Sequence, residues 1–194
     1  MPDIHQPSKI RNYFREQGKY VLTFLGFSGA GYQDPSALLR TAETILARRK
    51  PEKTIVNIGA TPEGIGAIYS LAKEKGFQTT GIVSSQAREA DVALSPDVDR
   101  FFYVQDAYWG GKVPGTDRLS PTSQLMVEVS DELVAIGGGA VARDELEAAK
   151  KLGKKVRFIP MDLDHEIARE KARKEGLPEP SDFRGEAEKG EENY

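Results

Sequence analysis

The sequence predicts an α/β protein, a Rossmann-like three-layer fold with a mostly parallel sheet of about six strands. Three observations predict it. Short β-branched runs alternate with segments of helical period, and glycine-bearing turns follow three of those runs. No fixed-period repeat and no apolar stretch of the ~20 residues that span a bilayer competes with that pattern. A chain of 194 residues suits one domain of this kind.

The elements follow in order. Between Pro7 and Gln17, Ile10, Tyr13 and Phe14 recur at helical spacing before Gly18, which makes residues 1–18 a helical extension. The Rossmann-like domain, residues 19–174, opens with a strand over Tyr20 to Leu25. Asp34 can cap the first core helix and Pro35 suits its first turn, while Leu38, Leu39, Ala42, Ile45 and Leu46 line one face. A strand over Thr54 to Ile58 leads to a second helix, expected to take Thr61 as its cap and Pro62 as its first residue. It should bury Ile65, Ile68, Leu71 and Ala72 and close at Gly76. Further strands are expected at Thr79 to Val83, Phe101 to Val104, Glu132 to Ile136 and Lys155 to Ile159. A helix from about Val141 to Leu152 separates the last two, and Asp164 can cap a final charged helix through Arg173. From Glu175 onward seven acids face two bases with almost no apolar residues, so 175–194 is expected to be an acidic, disordered tail.

Composition narrows the chemistry. Without cysteine there are no disulfides, thiolate nucleophiles or cysteine-held metals. Lys and Arg total 27 against 30 acids, for a net charge of −3, and the excess of acids over bases lies in the last twenty residues. That balance makes nucleic acid an unlikely partner and gives no attraction to an anionic membrane. The N-terminus has no apolar signal core, so the expected location is cytoplasmic.

The glycine turns carry the functional signal. The first, Gly26 to Gly31, offers Gly26, Ser28, Gly29 and Gly31; the second offers Gly59, Thr61 and Gly64; the third is Gly137-Gly138-Gly139, followed by Ala140 and Val141. In an open parallel sheet the strand carboxyl ends converge on one edge, where ligands bind. Glycine lets backbone N–H groups approach an anion, and a helix N-terminus adds partial positive charge, so a phosphate-bearing nucleotide or nucleotide-like cofactor is the natural guest. Each turn also has a plain reading, in which glycine supplies positive φ or close packing and Thr61 merely caps a helix.

Other features are less specific. Gly137-x-Gly139-x-x-Ala142 with Asp162 twenty residues on matches a dinucleotide fingerprint, but too late in the domain for its usual place; it leaves an NAD(P)-dependent oxidoreductase as one alternative. The loop from Asp106 to Pro121 holds the only tryptophan, Trp109, among glycines, as a flap over a ligand would. Asp162, Asp164, His165 and Glu166 match no metal-site spacing and read as a helix cap with solvated charge; no metal site is expected.

Val134-Ala135-Ile136-Gly137-Gly138-Gly139, preceded by Val129-Ser130-Asp131 and followed by a helix with Glu145, resembles the late strand and motif of the SLOG superfamily. That group joins the Lonely Guy phosphoribohydrolases, lysine decarboxylase-like proteins, molybdenum cofactor carriers and the DprA domain. The first two turns also resemble that family's, over roughly Tyr20 to Ile159. Val141 stands where the motif has its fourth glycine and Ala142 where it has threonine. Thr122 and Ser123 stand where the phosphoribohydrolases carry Arg-Lys, and Lys112 and Arg118 are the nearby cations that could substitute. The resemblance implies a homo-oligomer, dimer or tetramer, acting as a carrier or sensor of a phosphorylated small molecule. The alternative it implies is a nucleoside 5′-monophosphate phosphoribohydrolase with Glu145 as catalytic carboxylate. Read without it, Glu145 is an acid in a helix's first turn, favoured by the dipole.

Overall fold

A computed structural model of the chain describes residues 3 to 191. Six strands form one all-parallel sheet: β1 (Tyr20–Gly26), β2 (Thr54–Ile58), β3 (Gln78–Ser84), β4 (Arg100–Val104), β5 (Glu132–Ile136) and β6 (Lys155–Ile159), in the order β4-β3-β2-β1-β5-β6. The sequence places all six within a residue or so of these bounds. The order reverses between β1 and β5, and the crevice outside such a switch point is where open α/β sheets take their ligands.

Side chains alternate across the strands and so feed two cores. Val21 and Leu25 face α1 (Pro7–Gln17), α5 (Pro121–Val129) and α6 (Ala140–Lys151); Leu22 and Phe24 face α2 (Pro35–Leu46) and α3 (Ile68–Glu74). Asp34 caps α2 by accepting from Ala37 N at 2.8 Å, and Asp164 caps α7 (His165–Glu175) by accepting from Ile167 N at 2.9 Å, both as the sequence indicates.

Two expectations fail for local reasons. Thr61 does not cap a helix. Its hydroxyl accepts from Glu63 N at 3.3 Å, a 3-10 turn occupies Gly64–Ala67, and α3 begins only at Ile68. Gly64, at φ +58°, is pressed against the backbone of Phe27 and Ser28, and that contact diverts the chain from helix.

The acidic C-terminal stretch, expected as a disordered tail, is folded over its described part. It ends in α8 (Glu186–Glu191), which packs on α6. Ala187 is 1% exposed and its N–H donates to Gly138 O at 3.0 Å; Leu163 N donates to Phe183 O at 2.8 Å, and the Phe183 ring stacks on His165 at 3.9 Å. Glu192, part of that expected tail, lies outside the described residues. Small residues at Gly185 and Ala187 allow the close approach, and composition alone conceals it.

Candidate functional site

A cavity of about 460 Å³ opens at the carboxyl ends of β1, β2 and β3, under the N-terminal turns of α5 and α6. That volume falls in the range of small-molecule sites. Its floor is apolar, from Leu25, Ile58, Ile82 and Met126, and the first and second glycine turns reach it through Gly26, Ser28, Gly59 and Thr61. The third contributes only its continuation, Val141, Ala142 and Glu145.

The other predicted positions lie elsewhere. Gly137 and Gly138 have φ of +58° and +126°, and added Cβ atoms there would meet Met161 O and the Ala142 Cβ, each at 2.6 Å. The chain itself therefore requires these glycines, and the C-terminal strap covers Gly138. Gly139 is the N-cap residue of α6 and Ala140 its first residue; neither lines the cavity. Gly31, at φ +64°, approaches Asp164 and Ile167, while Gly29 is exposed near Glu63. Gly26 is needed for packing, since Tyr32 Oη sits over it, accepting from Phe27 N at 3.0 Å and donating to Ile136 O at 2.7 Å. Gly59 differs: nothing lies within 4 Å of where its Cβ would be, so the plain packing reading does not account for it.

The polar wall comes from α5 and α6. Ser123 Oγ accepts from Gly111 N at 2.7 Å and donates to Glu145 Oε1 at 2.6 Å. Glu145 is 4% exposed; burial pushes its carboxyl up to about 7, a rise that the Ser123 hydrogen bond opposes and the charge of Asp144 reinforces. Thr122, 6% exposed, lines the same wall, and its Oγ1 has no hydrogen-bond partner among the described residues. Ser84 Oγ is engaged, donating to Tyr108 O at 2.5 Å and accepting from Gln86 N at 3.1 Å.

No lysine or arginine lines the cavity among the described residues. Lys112 Nζ is held by Glu147 at 2.9 Å and Arg118 is exposed outside it, so neither replaces the Arg-Lys pair. Asp162 is also outside, 3.0 Å from His165 Nε2, where the dinucleotide reading would need it on a ribose.

The loop after β4 is a pinned flap. Asp106 accepts from Tyr108 N and Thr122 N, each at 2.9 Å, and Asp144 accepts from Lys112 N at 2.9 Å. Lys112 and Leu119 form an antiparallel bridge, so the loop expected to lack secondary structure closes on itself. Trp109, 58% exposed, stands at the cavity mouth.

Sequence reasoning missed a polar ladder beneath the site. Thr23, Asn57 and Thr80 are register partners on β1, β2 and β3. Thr80 Oγ1 donates to Asn57 Oδ1 at 2.9 Å, Asn57 Nδ2 donates to Thr23 Oγ1 at 3.2 Å, and Thr23 meets Ser130 Oγ at 2.5 Å. The ladder ties the sheet to the end of α5, the helix that carries Thr122 and Ser123. Three polar residues inside strands read as β-branched runs or interruptions, and only the register shows that they align.

Fold and cavity together define an open, all-parallel α/β protein with a ligand-sized pocket beside its topological switch point. No family model matches the chain, and no curated protein matches it significantly. Solved structures do. A Moco carrier protein from Chlamydomonas reinhardtii is 19% identical, with a TM-score of 0.53 over 81% of this chain and 85% of that one. The molybdenum cofactor binding protein from the phototrophic bacterium Rippkaea orientalis is 20% identical, with a TM-score of 0.51 over 72% and 76%. DNA processing protein A (DprA) from Streptococcus pneumoniae is 13% identical, with a TM-score of 0.51 over 83% of this chain and 58% of that one. The chain shares the fold of these proteins.

Proposed function

We propose that this protein binds a phosphate-bearing nucleotide or nucleotide-like cofactor as a carrier or sensor. The observation that carries this reading is the cavity itself. Its floor is apolar and uncharged, which suits a planar ring, while Ser28, Gly59 and Thr61 at its edge offer hydroxyls and open backbone to a phosphate. The third glycine turn takes no part in this reading, since the strap covers Gly138 and neither Gly139 nor Ala140 lines the cavity. That two of the structural neighbours are described as a cofactor carrier and a cofactor-binding protein supports the assignment.

The phosphoribohydrolase alternative has one observation in its favour, the buried Glu145, whose carboxyl near 7 is suited to proton transfer. Against it stand Thr122 and Ser123 in place of the phosphoribohydrolases' Arg-Lys pair, with no lysine or arginine in the cavity lining among the described residues to take over that pair's part in the reaction; holding a phosphate asks only for hydroxyls and backbone N–H groups. The test is a melting-temperature panel of nucleoside monophosphates, ADP-ribose, NAD and molybdenum cofactor, with chromatography for free base and ribose 5-phosphate. A ligand at about 100 times its Kd adds roughly 2.7 kcal/mol to the folded state, a shift of several degrees. A dose-dependent rise with the ligand recovered intact is expected. Release of free base would favour the hydrolase, and no rise with any compound would remove the binding reading.

A further inference from the structure

Two polar atoms in the cavity wall are unused by the fold. Glu145 Oε2 makes no hydrogen bond among the described residues, while Oε1 accepts from Ser123 and keeps a second lone pair. Thr122 Oγ1 is buried and unpartnered. Leaving a buried atom such as Thr122 Oγ1 unpaired is costly, since buried polar groups are nearly always satisfied by something, and Glu145 Oε2 is free to accept from a molecule in the cavity. Ser123 joins the two, following Thr122 in the chain and bonding Glu145, so carboxylate and hydroxyl share one wall. Around them the cavity is apolar, with Trp109 at the mouth and no lysine or arginine in its lining among the described residues.

We infer that Glu145 and Thr122 read the edge of a 2-amino-4-oxopyrimidine ring, the edge shared by guanine and pterins. The inference rests on the cavity being the ligand site and adds which ring it selects. Above about pH 7 the Glu145 carboxyl is ionised and only accepts, so it calls for adjacent N–H donors. The ring N–H and the exocyclic amine of this edge point the same way and can meet one carboxylate as a charge-assisted pair. The neighbouring ring carbonyl is an acceptor for the Thr122 hydroxyl. Adenine presents a lone pair where the ring N–H would be and sets it against the carboxylate. Hypoxanthine keeps the N–H and carbonyl but lacks the amine. On this reading Glu145 faces the ring and not a sugar hydroxyl.

Calorimetric titration of the full chain with guanosine, inosine, adenosine and unsubstituted pterin tests the assignment. Guanosine or pterin is expected to bind about tenfold or more tighter than inosine or adenosine, the range that one charge-assisted hydrogen bond supplies. The guanosine and pterin arms distinguish a purine frame from a pteridine one. In Glu145→Gln, nearly isosteric and checked for folding by its melting curve, the preference is expected to narrow to about threefold or less. Thr122→Val should weaken guanosine and inosine alike and leave adenosine unchanged. Equal binding of guanosine, inosine and adenosine by the unaltered chain, or a preference that survives in Glu145→Gln, overturns the inference while the cavity remains a ligand site. Failure of all four compounds, together with the nucleotides of the melting panel, overturns both.

Discussion

Burial raises the Glu145 carboxyl from 4.5 to about 7 because the charged form is stripped of water, and the raised value makes this residue a burden on stability at neutral pH. In the unfolded chain the group ionises near its ordinary value. The folded state therefore binds the extra proton between about pH 4.5 and 7, and stability falls as pH rises through that window. Glu145→Gln removes the titration and keeps an oxygen for Ser123. It should be close to neutral at about pH 4 and stabilising at about pH 8, by an amount on the order of 3 kcal/mol at most. Urea melts of both proteins at the two pH values check this, and an equal difference at both would show that the carboxyl does not titrate in that range. Buried groups kept at such a cost in stability are frequent at functional sites. Glu145 was legible in the sequence as a candidate because it follows the glycine strand at the motif's spacing. Thr122 was visible there only as a departure from a pattern, since burial and an unmet hydroxyl are properties of its surroundings.

Among the elements, the C-terminal strap changes the site most. Seven acids in the last twenty residues describe a solvated chain on average, yet two backbone hydrogen bonds, one ring stack and one buried alanine hold it over the third glycine turn. Gly185 is the tight point: at φ +79°, an added Cβ would lie 2.5 Å from Gly138 O and 2.7 Å from the Phe27 ring. Gly185→Val should detach the strap without unfolding the sheet, at a cost of about 1–3 kcal/mol. Hydrogen exchange would then show lost protection at Ala187 N–H with β1 and β5 unchanged; unaltered protection would mean that the strap tolerates the side chain. The flap followed the opposite course. Read as a flap for its tryptophan and glycines, it is fixed by Asp106, Ser123 and Asp144, residues distributed along the chain that meet only in three dimensions.

At the scale of the whole molecule, the parallel order β4-β3-β2-β1-β5-β6 gathers the carboxyl ends of β1, β2 and β3 beneath the first turns of α5 and α6 and so creates the cavity. The opposite end of the sheet is organised by charge. Glu132, wholly buried, accepts from Arg49, from Arg157 Nε at 3.1 Å and from the Tyr20 hydroxyl at 3.0 Å, and its carboxylate lies 3.6 Å from Lys155 Nζ. Such an ion cluster specifies an arrangement more than it stabilises one. One tryptophan at the mouth makes occupancy and folding separable. A ligand in the cavity should quench or shift Trp109 emission with far-UV circular dichroism unchanged. A ligand that raises the melting temperature and leaves Trp109 unaffected would be bound elsewhere.

The sequence by itself determined the fold class, the strands, the caps of α2 and α7 and the glycine turns, because these depend on local periodicity and on conformations that few residues adopt. Only the tertiary structure decided which turns reach the cavity. Steric demand from Phe27, Met161, Ala142 and Ala187 accounts for Gly137 and Gly138, and Gly59 remains open. A glycine needed for packing and one needed for a ligand are identical in sequence; what separates them is whether a neighbouring atom already fills the space that a side chain would take.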